Sequence, residues 1–160
     1  MTGLSPDVAQ AGTQVLAVRL GKDLHAIPIM AIEEILPALP IESVPQCPAF
    51  VRGVVFVRGH LIPVVDAAER LGLRDHQRPV EPHIVCLRVG NRLMGVEFDE
   101  ALDLLDIGPG EILPAERMGG QPGFFAGAVE RDGQIIRMLD PEKLISDEES
   151  ESLGRIPQTT

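Results

Sequence analysis

Four histidines, two cysteines and a few acids are the side chains of this chain best suited to catalysis or metal binding. A structural zinc site draws its ligands from close groups such as CxxC or HxxxH. His25, His60, His76, His83, Cys47 and Cys86 are scattered without that spacing. Cys86 alternates with Val85 and Leu87 in an apolar run, the setting of a buried, inert thiol. Cys47 lies among prolines, with no neighbouring base to activate it. Asp66, Asp99 and Asp103 most resemble a catalytic set of acids, yet Asp66 and Asp140 each follow an apolar strand, where capping a helix accounts for them. Gly108-Pro-Gly110 and Gly119-Gly120 fit neither the GxxxxGK(S/T) phosphate cradle nor GxGxxG after a strand. No histidine falls in a helical pattern suited to phosphotransfer. These residues point away from an enzyme, and no cofactor or metal is expected.

The whole chain narrows the classes further. Its 160 residues are 44% hydrophobic and 24% charged, the balance of a globular protein with one core or two small ones. A net charge of −10 and the absence of Trp and Tyr oppose both phosphate neutralisation and base stacking, so nucleic acid is excluded as a partner. Two cysteines make no disulfide framework, which suits a reducing compartment. The first residues lack the basic and apolar regions of a signal peptide. No apolar run approaches the roughly 20 residues that span a bilayer, so no membrane insertion and a cytoplasmic location are expected.

Sixteen Gly and 14 Pro leave little room for long helices. After a loose tail over 1–13, Val15–Leu20 and Leu24–Ile29 read as a hairpin turned at Gly21-Lys22-Asp23. Ala31–Leu36 is a bent strand or a single helical turn, closed off by the prolines at 37, 40, 45 and 48. Phe50–Val57 and His60–Val65 flank a tight turn at Arg58-Gly59. Asp66 caps a short helix over Ala67–Leu71 that Gly72 ends. Residues 77–82 read as a linker, and an acidic tail occupies 146–160.

The pattern then restarts. His83–Val89 and Leu93–Phe98 form a second hairpin, with Val96 and Phe98 answering Ile27 and Ile29 at an offset of 69 residues. Pro122–Asp140 lies over Pro48–Asp66 at an offset of 74, with identical pairs at Phe50/Phe124, Gly53/Gly127, Val55/Val129, Gly59/Gly133, Ile62/Ile136 and Asp66/Asp140. Two similar halves with one small loop insertion are expected. A lone open sheet of about five short strands exposes its edges, so each half should curl into a small barrel. The expected fold is all-β: two packed five-stranded barrels with short helices, one from about 14–76 and one from about 83–145, within a single domain over 14–145.

Features present in both copies serve the fold; features of one copy are candidates for a site. The turn reads Arg58-Gly59 in the first copy and Asp132-Gly133 in the second, Arg52 faces Ala126, and His60 faces Gln134. A guanidinium on a rigid hairpin tip can bind a partner's carboxylate or carbonyls in a fixed geometry, although most exposed arginines on turns contribute little. Ile32 and Ile35 surround Glu33 and Glu34. An exposed Ile32 beside an acid would make a protein-binding edge, and a buried one would be core.

These residues resemble the CheW family of bacterial chemosensory adaptors over about 14–145. Leu20-Gly-Lys-Asp with Ile27–Ile35 is similar to that family's first hairpin, Pro48–Asp66 to its most distinctive stretch, and Phe98–Leu105 and Phe124–Leu139 to its later segments. The resemblance implies two SH3-like barrels with a groove between them, no catalytic activity, and a scaffold at membrane-associated receptor arrays. Such a scaffold bridges the cytoplasmic tip of a chemoreceptor and the regulatory domain of a CheA-type histidine kinase. It assigns partner contacts to Arg58, Ile32 and Glu34, and the groove side of the second barrel to Gly95 and Ala101. Phe56 departs from the family's Asn, and Pro28 from a common acid. Beside this stands a second reading, a free-standing barrel module that takes a peptide or small ligand in the inter-barrel groove.

Overall fold

The computed structural model describes residues 12–117, 123–145 and Glu149. Strands β1 (Thr13–Leu20) and β2 (Asp23–Pro28) form the first hairpin, and a 3-10 turn over Ile29–Ala31 leads into β3 (Ile32–Leu36). The stretch 31–36 takes the strand alternative, and the helical turn falls just before it. Next come β4 (Val51–Val57), β5 (His60–Asp66) and the helix α1 (Ala67–Arg70). The second copy supplies β6 (His83–Val89), β7 (Arg92–Phe98), β8 (Glu100–Ile107), the two-residue β9 (Leu113–Pro114), β10 (Phe125–Arg131) and β11 (Gln134–Leu139). Thr13 already belongs to β1, which shortens the expected leading tail. The rest of that tail, and the acidic tail apart from Glu149, lie outside the described residues.

The strands assemble into a six-stranded sheet, ordered β8-β1-β2-β11-β10-β9, and a five-stranded sheet, ordered β3-β6-β7-β5-β4. This corrects the expectation of one barrel from 14–76 and another from 83–145. The leading hairpin of each copy leaves its own half and completes the sheet of the other. The junctions are parallel and equivalent: β2 meets β11 with Ala26 beside Met138, and β7 meets β5 with Gly95 beside Val64. Those pairs are related by the same two offsets found in the sequence. The exchange follows from the repeat, because the strand that receives β2 looks locally the same in either half.

Strands β2, β5 and β7 at the junctions are buried on both faces in their middle, β11 only at Met138–Leu139, and there alternate residues serve different cores. Ile84, Cys86 and Val64 join Leu36 and Val55 inside the five-stranded sheet, which curls until its two edge strands line one core. Val15, Ala26, Met138, Ile107 and Val129 fill the six-stranded sheet in the same way. The intervening residues, Leu16, Ile27, Val65, Val85, Val96 and Leu139, face a third and larger core between the sheets. Each such side chain, fully buried, contributes about 1.5–3 kcal/mol.

The two outer strands β3 and β8 carry register shifts at equivalent places, between Ile32 and Glu34 and opposite Leu16–Val18. A bulge there twists each free edge and blunts it against pairing with another chain. The linker has no regular structure but is pinned. Arg78 reaches Asp66 at 2.6 Å and the buried Glu97 at 2.8 Å, and His76 Nε2 lies 2.7 Å from the buried Asp99.

Candidate functional site

The β4–β5 hairpin turns through two residues, both with positive φ, Arg58 at 51° and Gly59 at 84°. That is the turn whose twist matches a two-residue hairpin, and Gly, Asn and Asp are the residues suited to it. The second copy follows the rule with Asp132 at 51° and Gly133 at 79°. Arginine does not: its side chain gives the left-handed conformation no local hydrogen bond, at a cost of about 1 kcal/mol. The guanidinium so placed is 77% exposed and lies 3.0 Å from the Glu34 carboxylate. Since β3 and β4 are the two edges of the five-stranded sheet, this pair spans the seam where the barrel closes. An exposed pair of this kind contributes about 0–1 kcal/mol, too little to be the reason for an arginine at that position.

Ile32 is half-buried against the inter-sheet core, between the two outcomes foreseen for it. Beside it Glu33 meets Arg88 at 2.6 Å. Ile35 and Phe56 are exposed, and Phe56 pairs across the hairpin with Leu61. This end of the barrel therefore gathers two guanidinium groups, two acids and apolar side chains. Beneath it Cys86 is buried, and burial, reinforced by Glu34 and Glu33, pushes its thiol up to about 11. It is no nucleophile at neutral pH.

Gly95 requires a correction. It is buried in the middle of β7, where a Cβ would lie 2.9 Å from Ile84 Cγ2 and 3.4 Å from Val64 Cγ2. It allows close packing inside the five-stranded barrel and presents no surface to a partner. Its repeat mate is Ala26, which faces the smaller Val15 where Gly95 faces Ile84. Ala101 is half-buried on β8 and donates its N–H to His83 Nδ1 at 2.7 Å. It is the repeat mate of Ile32, on the edge of the other sheet. The five residues thus divide three ways: Arg58, Glu34 and Ile32 together, Ala101 at the equivalent place on the second barrel, and Gly95 inside.

The same mapping gathers Asp132, already named opposite Arg58, with residues that the sequence reading did not place beside it. Asp132 stands in the place of Arg58, Asp103 of Glu34, Glu130 of Phe56 and Leu104 of Ile35; all four are exposed. The two barrels therefore present different ends, one with the Arg58–Glu34 and Arg88–Glu33 pairs beside Phe56 and Ile35, the other with Asp132, Asp103 and Glu130 beside Leu104. Extending the repeat across β3 and β8 would have placed Asp103 and Leu104 beside Asp132. The suspected catalytic acids do not converge: Asp66 caps α1 through Ala68 and Glu69 N–H, and Asp99 accepts from Gly21 N–H at 2.8 Å. In the six-stranded sheet the places of Arg52 and Glu97, which lie 3.1 Å apart in the other, are taken by Ala126 and Pro28. With no arginine at 126, an acid at 28 would have no such partner.

No group of three or more His, Cys, Asp or Glu that could hold a metal occurs among the described residues. No helix of the described residues is long and apolar enough to cross a membrane. Two interlocked sheets that display contrasting charged and apolar ends define a binding or scaffolding protein. Residues 14–149 match the CheW-like domain model, and the chain belongs to that family. It is 28% identical to the chemotaxis protein CheW of Rhizobium meliloti over 154 residues, covering 95% of this chain and 99% of that one. It is 30% identical to the chemotaxis protein CheW of Thermotoga maritima over 135 residues, covering 84% and 88%. The crystal structure of the scaffolding protein TtCheW from Thermoanaerobacter tengcongensis superposes with a TM-score of 0.74 at 21% identity, over 80% of this chain and 88% of that one.

Proposed function

We propose that the chain is a non-catalytic adaptor of a bacterial chemosensory complex, coupling the cytoplasmic tip of a chemoreceptor to the regulatory domain of a CheA-type histidine kinase at membrane-associated arrays. The observation that carries this is Arg58: an exposed guanidinium held at a left-handed turn position that favours Gly, Asn or Asp. A residue kept against its backbone preference at a rigid tip is best explained by what it touches outside the chain. Glu34, Ile32 and Phe56 complete a surface with an apolar anchor and a charged rim. Ala101, with Asp103 and Asp132, marks the equivalent end of the second barrel, whose acids suit a basic partner surface. Family membership supports the adaptor role. The reading as a free-standing module with a ligand in a closed inter-barrel cavity is not favoured, because the space between the sheets holds a continuous hydrophobic core.

The test compares Arg58→Asn and Ile32→Asp with the wild-type chain in binding to the regulatory domain of the cognate kinase. Asparagine relieves the turn, so stability should hold or rise by up to about 1 kcal/mol. Affinity should fall tenfold or more, about 1.4 kcal/mol, the loss of an interface anchor. Wild-type affinity in both variants would remove this surface from the kinase contact.

A further inference from the structure

The first and second copies meet at a set of matched residues. Asp66 caps α1, and its mate Asp140 caps the 3-10 turn over Pro141–Lys143. Asp66 N–H donates to the carbonyl of Phe50 at 2.7 Å, and Asp140 N–H to that of Phe124 at 2.9 Å. Between these mates lies the internal near-twofold axis of the molecule. An axis has room for one side chain, and a repeat offers two. Here the first copy supplies Arg70, and its mate Leu144 is buried in the core instead.

The Arg70 guanidinium lies between the two phenylalanines, 4.3 Å from the Phe50 ring centre and 4.9 Å from that of Phe124. Its Nε donates to the carbonyl of Leu144 at 2.6 Å. The remaining two nitrogens form a fork onto the Glu149 carboxylate at 2.9 and 2.6 Å. Only 16% of the side chain is exposed. Phe50 leads into β4 of one barrel and Phe124 into β10 of the other, so one planar cation touches both halves and a residue beyond them. A guanidinium can do this because it stacks on its flat faces while donating a fork in its plane; an ammonium has neither the faces nor the fork.

We propose that Arg70 is the positioning residue that sets the angle between the two barrels, and that its pair with Glu149 makes this angle depend on whether Glu149 is docked. An adaptor that holds two partners at once transmits the angle between its surfaces to them; this consequence rests on the adaptor reading, whereas the device itself does not.

The experiment uses the full chain with Cys47→Ser and Cys86→Ala and spin labels at His60→Cys and Gln134→Cys. These are exposed repeat mates, one on each barrel's hairpin tip. Pulsed electron resonance gives the distance distribution between them, and circular dichroism melting confirms folding. Arg70→Lys, which keeps the charge but loses the fork, should shift the distribution or broaden it about twofold, as expected when a fixed contact between packed units is released. Glu149→Gln, which leaves the stacking intact, should do the same to a smaller extent. Arg70→Lys with the wild-type distribution overturns the positioning role, and a change in Arg70→Lys with none in Glu149→Gln overturns the coupling. No partner is present in the measurement, so its failure is distinct from failure of the adaptor reading.

Discussion

His25 gives this protein an acid-sensitive core. The imidazole is 3% exposed, its two nitrogens have no hydrogen-bond partner among the described residues, and its ring stacks on Phe125 with centroids 5.8 Å apart. Burial, with a smaller contribution from Arg137 and against the opposing pull of Asp23, lowers its pKa to about 4 from the usual 6.5. The folded state therefore binds the proton less well than the unfolded chain. Stability is complete above about pH 6.5, declines as pH falls, and stops declining below about pH 4. The separation of the two values corresponds to about 2 kcal/mol lost by pH 5 and about 3 kcal/mol by pH 4. The control is written into the repeat: Met94, buried in the inter-sheet core, occupies the equivalent position in the second copy. Urea unfolding of wild type and His25→Met, followed by circular dichroism from about pH 7.5 to 4.5, subtracts the carboxylate titrations common to both. The variant should match or exceed wild type at neutral pH, because it removes two unpaired buried nitrogens and places a thioether beside an aromatic ring. Its advantage should then grow by about 2 kcal/mol on acidification to pH 5. Parallel pH profiles would falsify the assignment of this acid sensitivity to His25.

Two further outcomes follow from the packing. Gly95→Ala should destabilise the protein by about 1–3 kcal/mol through the contact with Ile84 Cγ2, and in an Ile84→Ala background, where that methyl is gone, the same substitution should cost less; chemical denaturation of the two single variants and the double variant reads the coupling. A maleimide at about pH 8 should modify half-buried Cys47 well before Cys86, whose burial and raised pKa leave almost no thiolate; mass mapping of the labelled chain decides the order.

The strands, the short capped helix and the doubled architecture were legible in the sequence because alternation, glycine turns and capping acids act over a few residues. The exchange of hairpins was not. β5 and β11 share the offset and present the same apolar faces, so local pattern could not say which of them receives β2. Arg58 stood out because its mate is Asp132, and the structure added the backbone reason, a φ of 51° that suits aspartate and not arginine. Gly95 was misassigned because a glycine at a surface and one packed under an isoleucine read alike in a sequence. Arg70 was overlooked because three of its partners, Phe50, Phe124 and Glu149, lie from 20 to 79 positions away in the chain.

The exchanged hairpins also govern when each part of the molecule can form. The six-stranded sheet joins β1 and β2 to β11, so residues 13–28 have no parallel neighbour until residues 134–139 have left the ribosome. The five-stranded sheet needs only the chain up to Phe98. Synthesis from the N-terminus therefore completes the sheet around Arg58 first, and the leading hairpin gains β8 on one side before β11 exists to cover the other. Pairings this distant close slowly. Among the described strands, the last made is the one that joins the second copy to the leading hairpin.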